Sequence, residues 1–157
     1  MTVQVGQPAP NFTLFSSDKQ AITLSEQKGN NVLLLFFPLA FTSVCTAELC
    51  SVRDNLKQYE NMNAKVFGIS VDSPQTLARF KEDQNLNFPL LSDFNKEVSK
   101  EYDCLYEIFA MNMKGVSKRA AFVIDKQGII QYAEVLENAG LQPNFEAIQQ
   151  SLKALAK

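Results

Sequence analysis

The sequence contains no histidine and only three cysteines among its 157 residues. The missing histidine excludes Ser/His/Asp and Cys/His catalysis and removes the commonest zinc ligand. Three cysteines alone make a poor zinc site, because zinc takes four tetrahedral ligands. The sequence therefore predicts no metal site and no cofactor, and any cysteine chemistry would have to proceed without histidine.

Long apolar runs and clusters of basic residues are also missing. The longest strong apolar run, VLLLFFPLAF at 32–41, is shorter than the roughly 18 residues that a membrane span needs. Fifteen basic residues against seventeen acidic ones give a net charge of −2. Without a Lys/Arg cluster, this balance argues against a nucleic-acid partner and against a polybasic membrane surface.

The N-terminal segment MTVQVGQPAPNFTL has neither the basic region nor the apolar region of a secretory signal. We therefore expect a cytoplasmic protein, in which thiols are kept reduced and paired cysteines are more often catalytic or metal-binding than structural. No internal repeat or linker-like change of composition divides the chain. Its length fits one domain over residues 1–157.

The order of the predicted elements indicates an α/β protein. The continuous apolar run Asn31–Pro38 predicts a central strand that is covered on both faces. The spacing of apolar residues in VCTAELCSVRDNLKQYENMN, at 44–63, predicts one helix directly after it. Further strands and helices follow an N-terminal β-hairpin, which predicts a mixed sheet flanked by helices. In such sheets, functional residues gather where a strand ends and the next helix begins.

Two of the cysteines lie at that junction, in FFPLAFTSVCTAELC at 36–50. If Thr42 or Ser43 caps the helix, Cys45 lies in its first turn, where free N–H groups and the helix dipole favour a thiolate. Burial as a packing residue is the alternative for a lone cysteine. A disulfide, a metal clip and a nucleophile with its partner are all open for the pair on spacing alone.

The segment PLAFTSVCTAE, which contains Pro38, Thr42 and Cys45, resembles the active-site signature of the peroxiredoxins. VGQPAPNFTL and RAAFVIDKQGIIQY resemble two further segments of that family, so the resemblance covers essentially the whole chain. It is strongest to the bacterioferritin comigratory protein (Q-type) group and the alkyl hydroperoxide reductase E group. The resemblance implies a thioredoxin-like fold and the thiol-dependent reduction of hydrogen peroxide and organic hydroperoxides.

The resemblance also implies roles for individual residues. Cys45 matches the peroxidatic cysteine, whose thiolate attacks the peroxide and becomes a sulfenic acid. Thr42 matches the residue whose hydroxyl bonds the thiolate and the peroxide, and Pro38 matches the proline that shields the thiolate from water. Arg119 matches the active-site arginine, which favours the thiolate and polarises the O–O bond. Glu48 matches an acid that helps to hold this arginine.

Cys50 matches the resolving cysteine of the Q-type group, which lies five positions after the peroxidatic one. In an intact helix these two Cα atoms are about 8 Å apart, whereas a disulfide needs them within about 6.8 Å. Formation of a Cys45–Cys50 disulfide therefore requires the helix to unwind locally. RAAFVIDKQGIIQYAEV looks closer to the one-cysteine E group, so an external thiol is an alternative resolver. Cys104 is expected to be buried, and it is a further candidate partner.

The resemblance implies a peroxide substrate, a thioredoxin-type or other thiol reductant, and a homodimer. A disulfide oxidoreductase like thioredoxin is disfavoured, because CTAELC lacks the C-x-x-C spacing. A non-enzymatic peroxide sensor or relay would use the same Cys45 chemistry and stays open. The aromatic-rich segment YDCLYEIFAMNM, at 102–113, is interpreted as a substrate wall, a dimer face or part of the core.

Overall fold

A computed structural model describes residues 3–156. Its strands are β1 (Thr13–Ser16), β2 (Ala21–Thr23), β3 (Asn31–Phe36), β4 (Ala64–Ser70), β5 (Leu90–Ser92), β6 (Arg119–Ile124) and β7 (Ile130–Leu136). Its α-helices are α1 (Ser43–Asp54), α2 (Leu56–Asn61), α3 (Pro74–Gln84), α4 (Glu97–Glu101) and α5 (Phe145–Leu155). Within residues 3–156, no helix has both the length and the apolar character that crossing a membrane requires.

The strands form one mixed sheet in the order β2-β1-β5-β4-β3-β6-β7. The three central strands β3, β4 and β5 run parallel. Strand β6 pairs antiparallel with β3, and β7 pairs antiparallel with β6. The β1–β2 hairpin joins the other edge through an antiparallel pairing of β1 with β5. The predicted mixed sheet with an N-terminal hairpin and flanking helices is confirmed.

Strand β3 is buried along its entire length, as its unbroken apolar sequence predicts. Because successive side chains of a strand point to opposite faces, Leu33 and Leu35 pack with Leu49 of α1 and Phe80 of α3. On the other face of the sheet, a cluster of aromatic rings packs around Tyr102, with centroid distances of 5.4 Å to Phe36 and 5.2 Å to Phe122. The two cores fix β3 rigidly, and its end carries the segment with the cysteine pair.

The prediction of one continuous helix after β3 is wrong, because α1 ends at Asp54 and α2 begins at Leu56. Asn55 separates them with non-helical dihedrals of φ −115° and ψ 13°. Its side-chain amide donates to the carbonyl of Ser51 at 2.8 Å. Such a local side-chain bond competes with the backbone hydrogen bonds of the helix. Helix α1 therefore ends four residues after Cys50, and both Cys45 and Cys50 lie within it.

Candidate active site

Cys45 is the third residue of α1, immediately after the loop that follows β3. The first hydrogen bond of the helix runs from Thr46 N to Thr42 O at 2.9 Å. The amide of Cys45 precedes that bond, so it belongs to the N–H groups that a helix start leaves without helical partners. These groups and the helix dipole favour a negative charge at this point. The prediction that Cys45 lies in the first turn of the helix is therefore confirmed.

Thr42 occupies the N-cap position, but its side chain does not cap the helix. Its hydroxyl donates instead to the carbonyl of Leu39 at 2.8 Å. The expectation that this hydroxyl caps α1 is wrong, because its oxygen accepts no N–H of the first turn and the hydroxyl bonds back to the loop instead. Among residues 3–156, no hydrogen bond joins Thr42 Oγ1 to Cys45 Sγ, and the hydroxyl oxygen keeps its lone pairs.

The loop before Thr42 holds a strained residue. Phe41 has φ 68°, a left-handed conformation that is a genuine outlier for a bulky side chain. Its ring packs edge-on against Phe80 of α3, with a centroid distance of 5.1 Å. Such conformations persist only where surrounding contacts impose them. The contact with Phe80 is thus one of the contacts that support this conformation, directly before the start of α1.

Arg119 reaches Cys45 from the neighbouring strand. It begins β6, and the alternation of side chains puts it on the same sheet face as Ala121, which packs in the core with Cys45. Its Nη2 donates to Cys45 Sγ at 3.2 Å and to the carbonyl of Ala139 at 2.9 Å. Its Nη1 donates to Glu48 Oε1 at 2.6 Å. One guanidinium therefore joins the thiol, a carboxyl group and the loop after β7.

The three charged or ionisable groups of this cluster are buried, since Cys45 and Arg119 are 1% exposed and Glu48 is 0% exposed. Burial raises the pKa of Glu48 to about 7, although Arg119 opposes this shift. Burial would lower the pKa of Arg119, but the charges of Glu48 and Cys45 and hydrogen bonds to both outweigh it and raise that pKa. Arg119 thus stays cationic while Glu48 titrates near neutrality. When Glu48 is protonated, Cys45 is the one remaining group of this cluster whose negative charge the guanidinium can stabilise.

A cavity of about 240 Å³ opens onto Cys45. Its lining residues are Pro38, Thr42, Ser43, Val44, Cys45, Phe109, Arg119, Ala139 and Gly140. The cavity thus contains Pro38, Thr42, Cys45 and Arg119 from the set expected from the sequence, and Glu48 lies behind Arg119. Ala139 and Gly140 were not anticipated. Ala139 accepts from Arg119 through its backbone carbonyl, which no pattern of side chains in the sequence can predict. Phe109 belongs to the aromatic segment interpreted from the sequence as a substrate wall, a dimer face or part of the core.

The other two cysteines lie outside this cavity. Cys50 is half-buried, and its Sγ donates to Gln84 Oε1, 3.5 Å away at the end of α3. Cys104 is fully buried, and burial raises the pKa of its thiol to about 12. All three cysteines are free thiols. The expected burial of Cys104 agrees with this environment.

Glu48→Gln provides a test of the buried carboxyl. Because the pKa of Glu48 is about 7 in the folded protein and 4.5 ordinarily, the folded state keeps a proton between these pH values that the unfolded state has released. Stability from this group is therefore complete below pH 4.5 and is lost as the pH rises through about 7. We expect the unfolding free energy of the parent relative to Glu48→Gln to fall by up to about 1 kcal/mol per pH unit in this window.

Denaturant unfolding of both proteins from pH 5 to pH 8 measures this difference. Subtracting the two curves cancels the contributions of the titrating groups that do not interact with Glu48. A difference that stays constant across the range, or that rises with pH, contradicts the raised pKa of Glu48.

Known proteins resemble this chain over most of its length. The family model described as "AhpC/TSA family" matches residues 5–133. Alkyl hydroperoxide reductase E of Mycobacterium tuberculosis is 41% identical over 136 residues, which are 85% of this chain and 86% of the relative. The chloroplastic 2-cysteine peroxiredoxin of Chattonella marina var. antiqua is 37% identical over 166 residues, covering 99% of this chain and 82% of the relative.

A solved structure of a mutant PrxQ from Xylella fastidiosa matches the fold with a TM-score of 0.88 and 26% identity, over 100% of this chain and 99% of that one. The family match, the relatives and the fold agree with the chemistry of a cysteine, an arginine and a helix start at one cavity. The chain therefore belongs to the AhpC/TSA family, the peroxiredoxins, and is a thiol-dependent peroxidase.

Proposed function

We propose that Cys45 is the peroxidatic nucleophile of this peroxidase and that Cys50 resolves the oxidised form. The observation that carries the first part is the hydrogen bond of 3.2 Å from Arg119 Nη2 to Cys45 Sγ, at the wall of a cavity open to a small substrate. A cysteine beside a fixed cation and at a helix start has the environment of a reactive thiolate.

In the first step, the thiolate of Cys45 attacks the terminal oxygen of a hydroperoxide. An S–O bond forms and the O–O bond breaks, so that the sulfur loses two electrons and the peroxide gains them. The leaving alkoxide or hydroxide takes a proton and departs as an alcohol or water. The charge that develops on the leaving oxygen is stabilised by donors that are already in place, Arg119 and the free amides at the start of α1.

Pro38 and Thr42 complete the site. Pro38 is buried in the cavity wall, where its ring excludes water from the thiolate and offers no N–H of its own. Thr42 Oγ1 donates its hydrogen bond to Leu39 O, so its lone pairs accept the O–H of a bound hydroperoxide. Glu48 holds the guanidinium from behind through its bond of 2.6 Å to Arg119.

In the second step, the sulfur of Cys50 attacks the sulfenic sulfur of Cys45. An S–S bond forms, the S–O bond breaks, and water leaves. This step requires a rearrangement, because residues five apart on an intact helix point to different faces and lie too far apart. A dithiol reductant of the thioredoxin type then reduces the disulfide. The family resemblance also suggests a homodimer, which we include in the proposal.

Cys104 is a poor alternative resolver. It packs with Phe36 and Phe122, whereas Cys45 packs with Leu35 and Ala121. These residues alternate along β3 and β6, so the two cores lie on opposite faces of the sheet. A Cys45–Cys104 disulfide would have to cross the sheet, which supports Cys50 instead.

Mass spectrometry after one equivalent of peroxide tests the resolver. We expect the parent protein to lose a pair of hydrogens and to yield a Cys45–Cys50 disulfide within one peptide. In Cys50→Ser, the sulfenic acid on Cys45 should persist long enough to be trapped by dimedone, because no neighbouring thiol removes it. Cys104→Ala is the matched control and should form the same disulfide as the parent.

A lasting sulfenic acid on Cys45 of the parent, with Cys50 still free, would show one-cysteine chemistry with an external thiol. Oxidation of Cys50 or Cys104 ahead of Cys45 would overturn the assignment of the nucleophile. A single oxidation without turnover, in the presence of a thioredoxin-type dithiol, would favour a relay that transfers oxidation to a partner.

A further inference from the structure

The peptide unit between Leu39 and Ala40 is bonded at both ends. The amide of Ala40 donates to Asp72 Oδ2 at 2.8 Å, and the carbonyl of Leu39 accepts from Thr42 Oγ1 at 2.8 Å. A trans peptide is planar, with its N–H and C=O pointing in opposite directions. Fixing the N–H therefore also fixes the direction of the carbonyl that receives the proton of Thr42.

Asp72 is itself held in place. It follows β4, which runs parallel to β3, so the loops after these two strands meet at the same sheet edge. Ser70 Oγ donates to Asp72 Oδ2 at 2.7 Å. Ser92 Oγ donates to the backbone carbonyl of Asp72 at 2.6 Å. The half-buried carboxylate thus reaches Ala40 from a fixed position in the loop after the neighbouring strand β4, outside the cavity of Cys45.

The direction of the Thr42 hydrogen bond matters for catalysis. A hydroxyl has one proton to donate and lone pairs with which to accept. While its proton is committed to Leu39 O, Thr42 can only accept towards the cavity, and a hydroperoxide offers an O–H donor there. If the Leu39 carbonyl turned away, the hydroxyl could rotate and present its proton to the substrate instead.

We propose that Asp72 is a positioning residue for peroxide reduction. It holds the Leu39–Ala40 peptide so that the Thr42 hydroxyl donates to the Leu39 carbonyl and accepts the O–H of the peroxide. The negative charge of Asp72 also polarises the peptide, because hydrogen bonds in series strengthen one another. The inference rests on the role proposed for Thr42, and Asp72 acts only through that residue.

A double-mutant cycle tests whether Asp72 acts through Thr42. The measured quantity is the second-order rate constant for sulfenic acid formation on Cys45, followed by rapid quenching, dimedone trapping and mass spectrometry. We expect Asp72→Ala to lower it about tenfold and Thr42→Val about a hundredfold, since each removes part of a prearranged hydrogen-bond system. The double variant should match Thr42→Val within about twofold, because coupled residues are not additive.

Two further variants separate the carboxylate from the stability of its loop. Asp72→Asn keeps an acceptor for the Ala40 amide and should stay within about threefold of the parent. Ser92→Ala removes a hydrogen bond to the backbone of Asp72 but leaves the carboxylate contact intact, and it should stay within about twofold. Thermal unfolding of each variant gives the folded fraction by which the measured rates are corrected. If Asp72→Ala does not fold, Asp72→Ser replaces it, because the serine side chain is also too short to reach the Ala40 amide.

Parent-like rates for Asp72→Ala would overturn the inference, as would a tenfold loss that persists in the Thr42→Val background. Ser92→Ala slowing the reaction as much as Asp72→Ala would reduce Asp72 to a structural role and overturn it too. A parent-like rate for Thr42→Val would remove the role of Thr42 and this inference with it, while the assignment of Cys45 would stand on its own oxidation.

Discussion

Cys45→Ser is expected to consume peroxide roughly a thousandfold more slowly than the parent, or slower still. A serine hydroxyl is not ionised near neutral pH and is a far weaker nucleophile than a thiolate, even when its surroundings are unchanged. The substitution replaces one atom in a residue that is 1% exposed, and the new hydroxyl can still accept from Arg119. Stability should therefore change little, and peroxide consumption with excess dithiol measures the loss directly.

The other two cysteines give the controls for this experiment. Cys104→Ala should keep the parent's activity within about twofold, because its buried thiol has no part in the proposed chemistry. Cys50→Ser should keep the first oxidation of Cys45 but lose disulfide-dependent turnover. Parent-like consumption by Cys45→Ser would contradict the assignment of the nucleophile, and an equal loss in Cys104→Ala would indicate damage to the fold instead.

The fold was predictable wherever sequence periodicity reflects burial. The unbroken apolar run of β3 predicted a strand covered on both faces, and both faces are covered. The break at Asn55 was not predicted, because apolar residues continue at helical spacing on both sides of it. A single side-chain bond to Ser51 ends α1 there, and periodicity carries no information about such local competition.

The candidate site was predictable only where side-chain identity carries the chemistry. Cys45 and Arg119 were assigned from a resemblance over the whole chain, and they lie in hydrogen-bond contact although 74 positions separate them. The carbonyl of Ala139 could not be predicted, since every residue has a backbone carbonyl and only tertiary folding brings this one to Arg119. The contact of Asp72 with the Ala40 amide escaped for the same reason, because one partner is a backbone group.

The direction of the Thr42 hydroxyl shows a further limit. Sequence patterns place Thr42 at the N-cap, and the backbone agrees. Whether its oxygen accepts from the first turn, and whether its hydrogen is donated to Cys45 or to Leu39, depends on how the loop places these groups around it. That loop contains Phe41 with φ 68°, a conformation that no aromatic residue adopts by preference. Conflict between local preference and tertiary structure is expected at functional sites.

Arg119→Met is expected to show the second large effect, on both activity and stability. Methionine matches the aliphatic stem of arginine but has no guanidinium, so Cys45 and the leaving oxygen lose their fixed cation. Loss of one prearranged electrostatic donor lowers catalytic rates by about 100-fold to 1000-fold. The substitution also leaves the carboxyl of Glu48 buried without the guanidinium whose Nη1 donates to it at 2.6 Å in the parent.

The stability loss of Arg119→Met should depend on pH. Burial already raises the pKa of Glu48, and Arg119 opposes that shift, so its removal raises this pKa further. At pH 6 Glu48 is mostly protonated in the folded state of both proteins, so the variant differs little from the parent there, whereas at pH 8 the folded parent has released this proton and the folded variant still has to hold it. We expect the unfolding free energy to drop by about 3 kcal/mol at pH 8, the scale of a broken buried ion pair, and by clearly less at pH 6.

Combining Arg119→Met with Glu48→Gln separates the two roles of the arginine. Glutamine removes the buried ionisable group, so the double variant should recover most of the stability lost at pH 8 and should lose the added pH dependence. Its peroxide reduction should stay about 100-fold below the parent, because the cation beside Cys45 is still missing. Denaturant unfolding at pH 6 and pH 8 and single-turnover oxidation of Cys45 measure both effects. Recovery of the rate together with the stability would mean that Arg119 serves the fold alone, whereas recovery of stability alone assigns its charge to the thiolate.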